Sequence, residues 1–462
     1  MTSSTQLVEL LQALDGPQHR IAQFGRYYRG DQSLTFMAPE VQKALGSRFP
    51  RLTVNYIRLA VNSVAERLRV QGYVGADAWP IWLANDLDQR SALVHREALL
   101  TGTGYVSVWS NPDGSPRIAV ESCREVTTLT DPGSRETVAA VKRYRTKTTT
   151  EAYLYLPDRI EHHRANTAGA ATAGFELVTV LDNPLGQVPI VAFRNSDLPL
   201  DEGVSEVADL TCLVDALSKL TADLMVSSEY GARPRRWATG IDLVEVPKLD
   251  DDGNPVLDGN GEPVFEVVNP YPETDRMMIA DGSEAKFGQL PGADLTGYRT
   301  AVDVILSEIA AVSCLPPHYL GVLHSNPASA GALRASEAGL TAKASVKQQS
   351  FGQSWERVMR LAVAIRDGGN PDAVDVRTTW SDPATRSIAQ EADAVLKLVQ
   401  AGILSKSGAL RRLGYSQSEI EQELYDAERD ALANANPEFS MAVSKHAELM
   451  IENENKTGSY AA

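Results

Sequence analysis

The chain has 462 residues, of which 43% are hydrophobic and 23% are charged, and its 60 acidic and 44 basic residues give a formal net charge of −16. This length favours several modules over one compact core, and the charge excludes a globally basic surface for nucleic acid. No apolar run is long enough to span a membrane, and the first residues lack the pattern of a secretory signal, so we expect no membrane partner and assembly in the cytoplasm.

The N-terminal part, residues 1–200, is predicted to contain helices first and strands afterwards. Apolar residues at helical spacing cover roughly 54–68. Alternating apolar and polar residues between 105 and 193 predict short strands, the first two joined by an Asn-Pro-Asp-Gly turn at 111–114. We therefore predict a mixed α/β module.

Two long helices with an acidic insertion between them are predicted next. One stripe of apolar residues runs through 203–230 and another through 294–313. Residues 241–300 hold 13 acidic and four basic residues. Asp-Gly and Asn-Gly pairs at 252–253 and 260–261 predict a small hairpin module there. The pattern indicates a hairpin of two long helices with an acidic module between them.

A double proline separates the second of these helices from a third. The Pro-Pro pair at 316–317 cannot continue a helix, and the Asn-Pro pair at 326–327 is a favourable start for the next one. The third predicted helix, 327–366, is rich in small residues in its first half, with Gly339 and Gly352 as candidate kink points. Such a helix can pack closely against its own chain or against copies of itself.

The C-terminal part is predicted to be helical and to end in a flexible tail. Helical spacing covers about 387–400, 407–413 and 416–434, and residues 437–462 have little apolar surface to bury. The preceding stretch, 314–360, carries a local charge of +3 within an acidic chain. The region of the double proline and the third helix is therefore mildly basic.

No motif predicts catalysis, a cofactor or a metal ion. The glycines at 292–297 lack the lysine of a phosphate-binding loop, and a Ser-x-x-Lys at 283–286 lacks its companion motifs. In Glu-His-His at 161–163 the adjacent histidines face opposite sides of a strand, and the acidic run at 250–254 lacks the ligand positions of an EF-hand. No spacing typical of a disulfide framework or a zinc site joins the three cysteines, which are Cys123, Cys212 and Cys314.

Seven short segments, spread over most of the chain, carry a family resemblance. They lie at 184–194, 234–240, 287–295, 309–321, 326–330, 334–340 and 380–387, and the fourth contains Cys-Leu-Pro-Pro-His-Tyr-Leu-Gly. Their order and spacing resemble portal proteins of tailed bacteriophages, especially those of actinobacterial hosts. The resemblance extends from about residue 27 to residue 424.

The resemblance implies a structural protein of the virion and not an enzyme. A portal protein is expected to form a dodecameric ring at one capsid vertex, through which double-stranded DNA passes. The implied partners are other copies of the chain, the large terminase, a head completion or adaptor protein, the major capsid protein and the scaffold. No cofactor is implied.

The resemblance also implies an α+β portal fold with named parts. These are the wing (1–200), the two stem helices (203–232 and 294–313), the clip (233–290), the tunnel loop (315–329), a bent wing helix (327–366), a wing return segment (367–385), the crown (386–436) and the tail (437–462).

Two groups of residues are the candidate contacts of this predicted portal. A wall that bound DNA tightly would stall it, so we expect limited phosphate contact from the tunnel loop and the basic helix behind it. The candidates for this contact are Pro317, His318, His324, Ser325, Asn326, Lys343 and Lys347. The candidates for docking partners at the clip are Arg235, Arg236, Trp237, Asp250, Asp251 and Asp252.

Other interpretations of the sequence remain open. The two lysines fit a solvated helix face equally well. The chain as a whole also fits another ring-forming capsid or connector protein that docks no motor. An enzyme of unrecognised class would need a cluster of histidine, acidic or cysteine residues that the sequence does not suggest.

Overall fold

The computed structural model describes residues 3–33, 54–196, 198–199, 201–232, 236–239, 244–249, 254–259, 261–268, 284, 286–289, 295–321, 329–384 and 388–435. These residues form two compact units. The main unit comprises the described residues up to Ser218 and from Asp303 onward, and the smaller unit comprises those from Lys219 to Val302. Both units contain helical residues and strands.

The described part of the chain contains α-helices along its whole length. In chain order they are α1 (Ser3–Asp15), α2 (Gln18–Arg29), α3 (Tyr56–Ala65), α4 (Trp79–Ala84), α5 (Leu87–Thr101), α6 (Thr211–Ala232), α7 (Thr296–Ser313), α8 (Ala330–Ser336), α9 (Ala338–Asp367), α10 (Ile388–Gln400), α11 (Lys406–Arg412) and α12 (Gln417–Ala435).

The strands pair in antiparallel sheets. They are β1 (Val70–Gly75), β2 (Thr103–Ser110), β3 (Pro116–Glu121), β4 (Val126–Thr130), β5 (Thr137–Arg145), β6 (Thr150–Tyr155), β7 (Arg159–Ala165), β8 (Phe175–Asp182), β9 (Ile190–Arg194), β10 (Arg236–Thr239), β11 (Val244–Pro247), β12 (Phe265–Val268), β13 (Lys286–Gln289) and β14 (Val376–Trp380). The main unit holds a five-stranded sheet in the order β4-β5-β6-β7-β8, a three-stranded sheet in the order β3-β2-β9, and the pair β1-β14.

Helix α1 packs on the five-stranded sheet. Its leucines recur at three- and four-residue steps, which places them on one side of the helix, and all four are buried. Three of them contact small and branched residues of β5 and β6, namely Ala139, Val141, Ala152 and Leu154. Burial of each leucine contributes about 2 kcal/mol, which is enough to fix this amphipathic helix on its sheet.

Helix α9 is the central element of the main unit. It packs against β2, β3, β9 and β14. Trp355 at its middle is fully buried, with its ring centroid 4.8 Å from that of Trp82 and 4.8 Å from that of Phe193. Its indole N–H donates to Nε2 of His95 at 2.9 Å. Burial lowers the pKa of His95 from 6.5 to about 3, so the imidazole is a neutral core acceptor.

The pair β1-β14 joins two distant parts of the sequence. Residues of β1 lie opposite those of β14 from Val70↔Trp380 to Gly75↔Val376. Gly75 has φ +100°, and a Cβ there would lie 2.4 Å from the carbonyl oxygen of Asp375. A glycine is therefore needed at this position.

Polar contacts connect the C-terminal helices with β1 and with the start of α4. The Trp79 indole donates to the Ser418 hydroxyl at 2.7 Å, and the backbone N–H of Tyr73 donates to the Gln417 side chain at 3.2 Å. Gln71 donates to the carbonyl oxygen of Arg411 at 2.8 Å. The described part of the predicted crown is thus anchored on the main unit, and the predicted tail, 437–462, lies outside the described residues.

The smaller unit contains two antiparallel strand pairs between the ends of two helices. Strand β10 pairs with β13 and β11 with β12. Trp237 of β10 lies opposite Gly288 of β13, where an added Cβ would lie 2.4 Å from the indole. The glycine therefore leaves room for the ring to lie across the strand pair.

The predicted start of the first long helix, at residue 203, is wrong. Helix α6 begins at Thr211 because the preceding segment is fixed in another conformation. Gly203 has φ +135°, and a Cβ there would lie 2.2 Å from the carbonyl oxygen of Gly102. The N–H of Glu206 donates to the carbonyl of Leu99 at 2.9 Å. These tertiary contacts override the helical spacing of the apolar residues.

The predicted single helix 327–366 is also corrected, because it is two helices with a break at Glu337. Gly339 lies in the first turn of α9, two residues after the break. Helix α9 continues through Gly352, and a kink at this residue stays a prediction. An added Cβ at Gly352 would lie 3.0 Å from Nε1 of Trp380, so this glycine allows β14 to approach the helix closely.

Candidate functional site

The base of the loop 315–329 is formed by a helix end and one turn. Helix α7 ends at Ser313, the next residue, Cys314, has φ +59°, and the N–H of Leu315 donates back to the carbonyl of Ala310 at 3.1 Å. Pro316 is extended and begins a 3-10 turn at Pro317–Leu320. Leu320 is 4% exposed and anchors this turn. These contacts fix the described start of the loop on the main unit.

One carboxylate connects this turn with the break between α8 and α9. Glu337 lies 3.3 Å from Nη2 of Arg67, and its other oxygen accepts from the Tyr319 hydroxyl at 3.5 Å. The same Nη2 donates to the Tyr319 hydroxyl at 3.2 Å, and His318 Nε2 lies 3.8 Å from Glu337. The side chains of Arg67 and Glu337 are each 12% exposed. We call Arg67, His318, Tyr319 and Glu337 the loop-base cluster.

The two lysines predicted to contact DNA have a partner inside the chain. Lys343 Nζ lies 2.5 Å and Lys347 Nζ 3.2 Å from the carboxylate of Glu206, and Asn195 donates to the same carboxylate at 3.0 Å. Lys347 is 4% exposed. Burial raises the pKa of Glu206, but the two ammonium groups more than offset this, and the pKa lies below its usual value.

This geometry argues against the DNA-contact hypothesis for Lys347, and for Lys343, whose side chain is 20% exposed, the hypothesis stays a prediction. Both positive charges face one buried carboxylate, and Lys347 has almost no surface for a phosphate to reach. Their spacing of four residues puts them on the same side of α9, where one acidic group contacts both. Both lysines therefore pair with Glu206 within the main unit.

The remaining candidates of the loop are only partly described. Pro317 and His318 lie in the 3-10 turn, and the His318 side chain is 26% exposed. His324, Ser325 and Asn326 lie outside the described residues. The phosphate-contact hypothesis for these five residues stays a prediction.

The candidates of the predicted clip are likewise partly described. Trp237 is 45% exposed in β10, which places a large aromatic surface in contact with solvent. Arg236 is the first residue of the same strand. Arg235 and the acidic residues Asp250, Asp251 and Asp252 lie outside the described residues. The docking hypothesis for all six remains a prediction.

The described residues offer no metal centre and no membrane span. Among them, no group of three or more histidine, cysteine or acidic residues is placed to hold a metal ion. None of the helices described is long and apolar enough to cross a membrane. The polar clusters at Glu206 and Glu337 are instead ion pairs within the main unit.

Comparison with known proteins decides the family. The family model of phage portal proteins of the SPP1 Gp6-like type matches residues 17–434. The chain belongs to this family. It is 30% identical over 455 residues to the portal protein of Mycobacterium phage D29, covering 92% of this chain and 88% of the relative. It is also 30% identical over 461 residues to the portal protein of Mycobacterium phage L5, with the same coverage.

A solved structure of a gene transfer agent virion also contains a similar chain. The two are 12% identical with a TM-score of 0.46, and the match covers 82% of this chain and 95% of the other. The predicted resemblance to actinobacteriophage portals is confirmed by the family model and by the two mycobacteriophage relatives. Portal proteins are structural connector proteins of phages and not enzymes, as predicted.

Three residues of the two ion-pair clusters were not predicted from the sequence, namely Arg67, Glu206 and Glu337. Arg67 and Glu337 are 270 residues apart, and nothing in either local pattern connects them. Glu206 lies inside 203–230, the segment that the apolar spacing predicts as a helix. The available signal was the i, i+4 pair of lysines, which indicates a shared acidic partner but not its position.

Replacing Glu337 with glutamine is expected to loosen the portal's loop base. Arg67 would lose its carboxylate at a largely buried position, so we expect a loss of about 2 kcal/mol in the free energy of unfolding. The 3-10 turn would also lose its link to α9. Chymotrypsin should therefore cleave after Tyr319 or Leu320 faster than in the wild type.

The matched control for this prediction is Glu9→Gln, which removes an exposed carboxylate of α1. It should change neither the unfolding free energy nor the cleavage rate. Equal cleavage rates at Tyr319 in wild type and Glu337→Gln would show that the loop-base cluster does not hold the turn.

Proposed function

We propose that this portal protein forms a dodecameric ring at one capsid vertex and provides the channel for packaging, retention and ejection of double-stranded DNA. The observation that carries the proposal is the family match over residues 17–434. The relatives named portal protein align over 92% of the chain, so the proposal concerns the whole molecule and not one module. The ring belongs to the mature virion.

The parts of the proposed portal follow the observed elements. Helices α6 and α7 are the stem, and residues 233–290 between them are the clip. Residues 315–329 form the tunnel loop, α8 and α9 the wing helix, and α10 to α12 the crown. Two long helices that bracket a small unit of paired strands support this assignment. The N-terminal 200 residues and segment 367–385 complete the wing.

The clip is proposed to dock the large terminase during packaging and a head completion protein afterwards. Trp237 is the described residue best suited to this role, because large exposed aromatic side chains are enriched among binding hot spots. Scaffold and major capsid protein are proposed to contact the wing. The acidic composition of the chain favours DNA sliding, since few phosphates are neutralised.

Disrupting the gene in the phage that encodes the chain tests this proposal. We expect capsids that protect no genome-length DNA from nuclease, and restored protection when the wild-type chain is supplied from a plasmid. Capsids that protect a full-length genome without this chain would contradict the proposal. Capsids that lack the chain, package DNA and then lose it before tail attachment would place the chain after the packaging step. That result would also contradict a channel role in packaging.

Strand β8 offers a surface for contact between copies. It is an edge strand of the five-stranded sheet, and four of its apolar side chains are about half exposed, namely Leu177, Val178, Val180 and Leu181. An apolar edge strand readily associates with another protein surface unless charges block it. We propose that a neighbouring copy covers it in the ring.

The double substitution Leu177→Lys/Leu181→Lys is therefore expected to reduce the ring fraction at least about tenfold while leaving the thermal midpoint of the protomer unchanged, because charges on an edge strand oppose association. Mass photometry measures the ring against the 50.1 kDa protomer. The control Val74→Lys/Leu93→Lys alters two other half-exposed apolar residues. An unchanged ring fraction in the β8 variant would exclude β8 from the interface.

A further inference from the structure

The main unit contains a cleft that is lined mainly by arginines. Its volume is about 440 Å³, and its charged lining residues are Arg135, Arg194, Arg357, Arg360, Arg377 and Glu356. Five guanidinium groups against one carboxylate leave a formal charge of +4. We call this the arginine cleft. It is separate from the loop-base cluster and from Glu206, whose residues do not line it.

Four separate elements contribute these arginines. Arg194 ends β9, Arg357 and Arg360 project from α9, and Arg377 lies in β14. Arg135 is in the turn between β4 and β5 and has φ +62°, a conformation that non-glycine residues seldom adopt. The fold therefore brings together cations that are far apart in sequence, in a protein whose net charge is −16.

The single carboxylate of the cleft is already engaged on one side. Glu356 lies 3.3 Å from Arg377 and 3.9 Å from Arg360, and it accepts the backbone N–H of Thr378 at 3.2 Å. Arg194 donates to the Thr130 hydroxyl at 2.6 Å. Neutral hydroxyls, Glu356 and the exposed Asp375, which lies 4.0 Å from Nε of Arg377, do not balance five positive charges.

Several donors of the cleft have no acceptor within the described part of the chain. The buried Nε of Arg360 has no hydrogen-bond partner there. Neither Arg135 nor Arg357 has an ion-pair partner among the described residues, and both are exposed. A buried donor without an acceptor costs free energy, and like charges in one cleft repel each other. An anion bound in the cleft would relieve both costs.

We propose that the arginine cleft binds an acidic peptide segment of a partner protein, whose carboxylates pair with the guanidinium groups. Guanidinium groups bind carboxylates in a bidentate manner, and arginine clusters are a recurring means of recognising acidic motifs. The cleft lies within a single protomer, so the proposal does not depend on the ring or on the DNA channel.

The shape of the cleft favours a peptide over duplex DNA. Arg194 and Arg360 are partly buried at its walls, and Arg360 is 35% exposed. A cleft of about 440 Å³ has room for a few side chains of a partner. It cannot enclose a DNA duplex, whose two grooves are roughly 12 Å and 6 Å wide. Carboxylates on flexible side chains can enter it and reach the inner arginines.

Binding of a fluorescein-labelled octaglutamate peptide to the full-length protein, followed by fluorescence anisotropy, tests the proposal. The double variant Arg135→Gln/Arg357→Gln is expected to weaken binding at least about tenfold, because it removes two charge-assisted pairs. Glu356→Gln is expected to tighten binding about threefold or more, because it removes the competing carboxylate. A gain of affinity cannot arise from unfolding.

The matched control is Arg117→Gln/Arg145→Gln, which removes the same charge from two exposed arginines of other strands. It should change the affinity less than about twofold at physiological salt, because separated surface charges are screened. Equal losses in the two arginine variants would overturn the proposal, as would no peptide binding. A labelled 20-base-pair duplex that binds in place of the peptide, with the same dependence on Arg135 and Arg357, would also overturn it and assign the cleft to nucleic acid.

Discussion

Glu206→Gln is expected to lower the free energy of unfolding by about 3 kcal/mol. The substitution removes the carboxylate that faces Lys343 and Lys347, and the Lys347 side chain is only 4% exposed. A glutamine accepts a hydrogen bond but does not compensate a buried positive charge. Urea denaturation at pH 7, followed by tryptophan fluorescence, measures the change.

The pH dependence of this effect has a definite sign. The pKa of Glu206 is lower in the folded chain than its usual value of 4.5, so its stabilising contribution is present above about pH 4.5 and is lost as the pH falls through the folded value. The stability difference between wild type and Glu206→Gln should therefore be largest near neutral pH and shrink in acid.

An exposed ion pair provides the control. Asp393→Asn removes the partner of Lys397 in α10, where both side chains are more than 60% exposed. It is expected to change the unfolding free energy by less than about 0.5 kcal/mol. Similar losses for Asp393→Asn and Glu206→Gln would show that burial does not set the strength of the Glu206 contact.

Trp355→Ala is expected to have the largest effect of any single substitution considered for the core, about 4 kcal/mol. The indole is fully buried between Trp82 and Phe193, and it donates to His95 at 2.9 Å. Alanine would leave a large cavity on the inner side of α9. Urea denaturation followed by far-ultraviolet circular dichroism avoids the loss of a fluorescent side chain.

Trp355→Phe separates packing from hydrogen bonding. It keeps an aromatic ring against Trp82 and Phe193 but leaves His95 Nε2 without its donor, so we expect a loss of about 1–2 kcal/mol. If Trp355→Ala and Trp355→Phe cost the same, the hydrogen bond to His95 and not the packing would be the main contribution.

Much of the local structure of this portal protein is present in the sequence. The double proline fixes the end of α7, because Pro316 and Pro317 cannot continue a helix. The spacing of apolar residues indicates α1 and the inner face of α9, because each helix buries one side against a sheet. Such signals depend on neighbours within a few residues, which a single sequence contains.

The tertiary contacts that build the candidate site have no such local signal. The start of α6 at Thr211 depends on Gly203 lying against Gly102. The break at Glu337 coincides with an ion pair to Arg67, 270 residues away. The lysines of α9 looked like solvated or DNA-facing cations because Glu206 is distant in sequence. Partner charges across the fold, and not composition, decide whether these lysines can reach a ligand.

The loop-base cluster lies at the start of the loop that is proposed to face the channel. Its turn is held by Leu320 and by the contacts of Arg67, Tyr319 and Glu337, so the described start of this loop is fixed on the main unit. The basic residues Lys343 and Lys347 of α9 pair with the internal carboxylate of Glu206. The loop itself, with His318 as its described ionisable residue, remains the proposed contact with DNA.

Electron cryomicroscopy of the purified full-length protein tests the central claim most directly. We expect closed rings of about twelve protomers of 50.1 kDa each, with an axial channel wide enough for duplex DNA and residues 315–329 facing that channel. Rings without an axial opening, or with residues 315–329 on the outer surface, would contradict it.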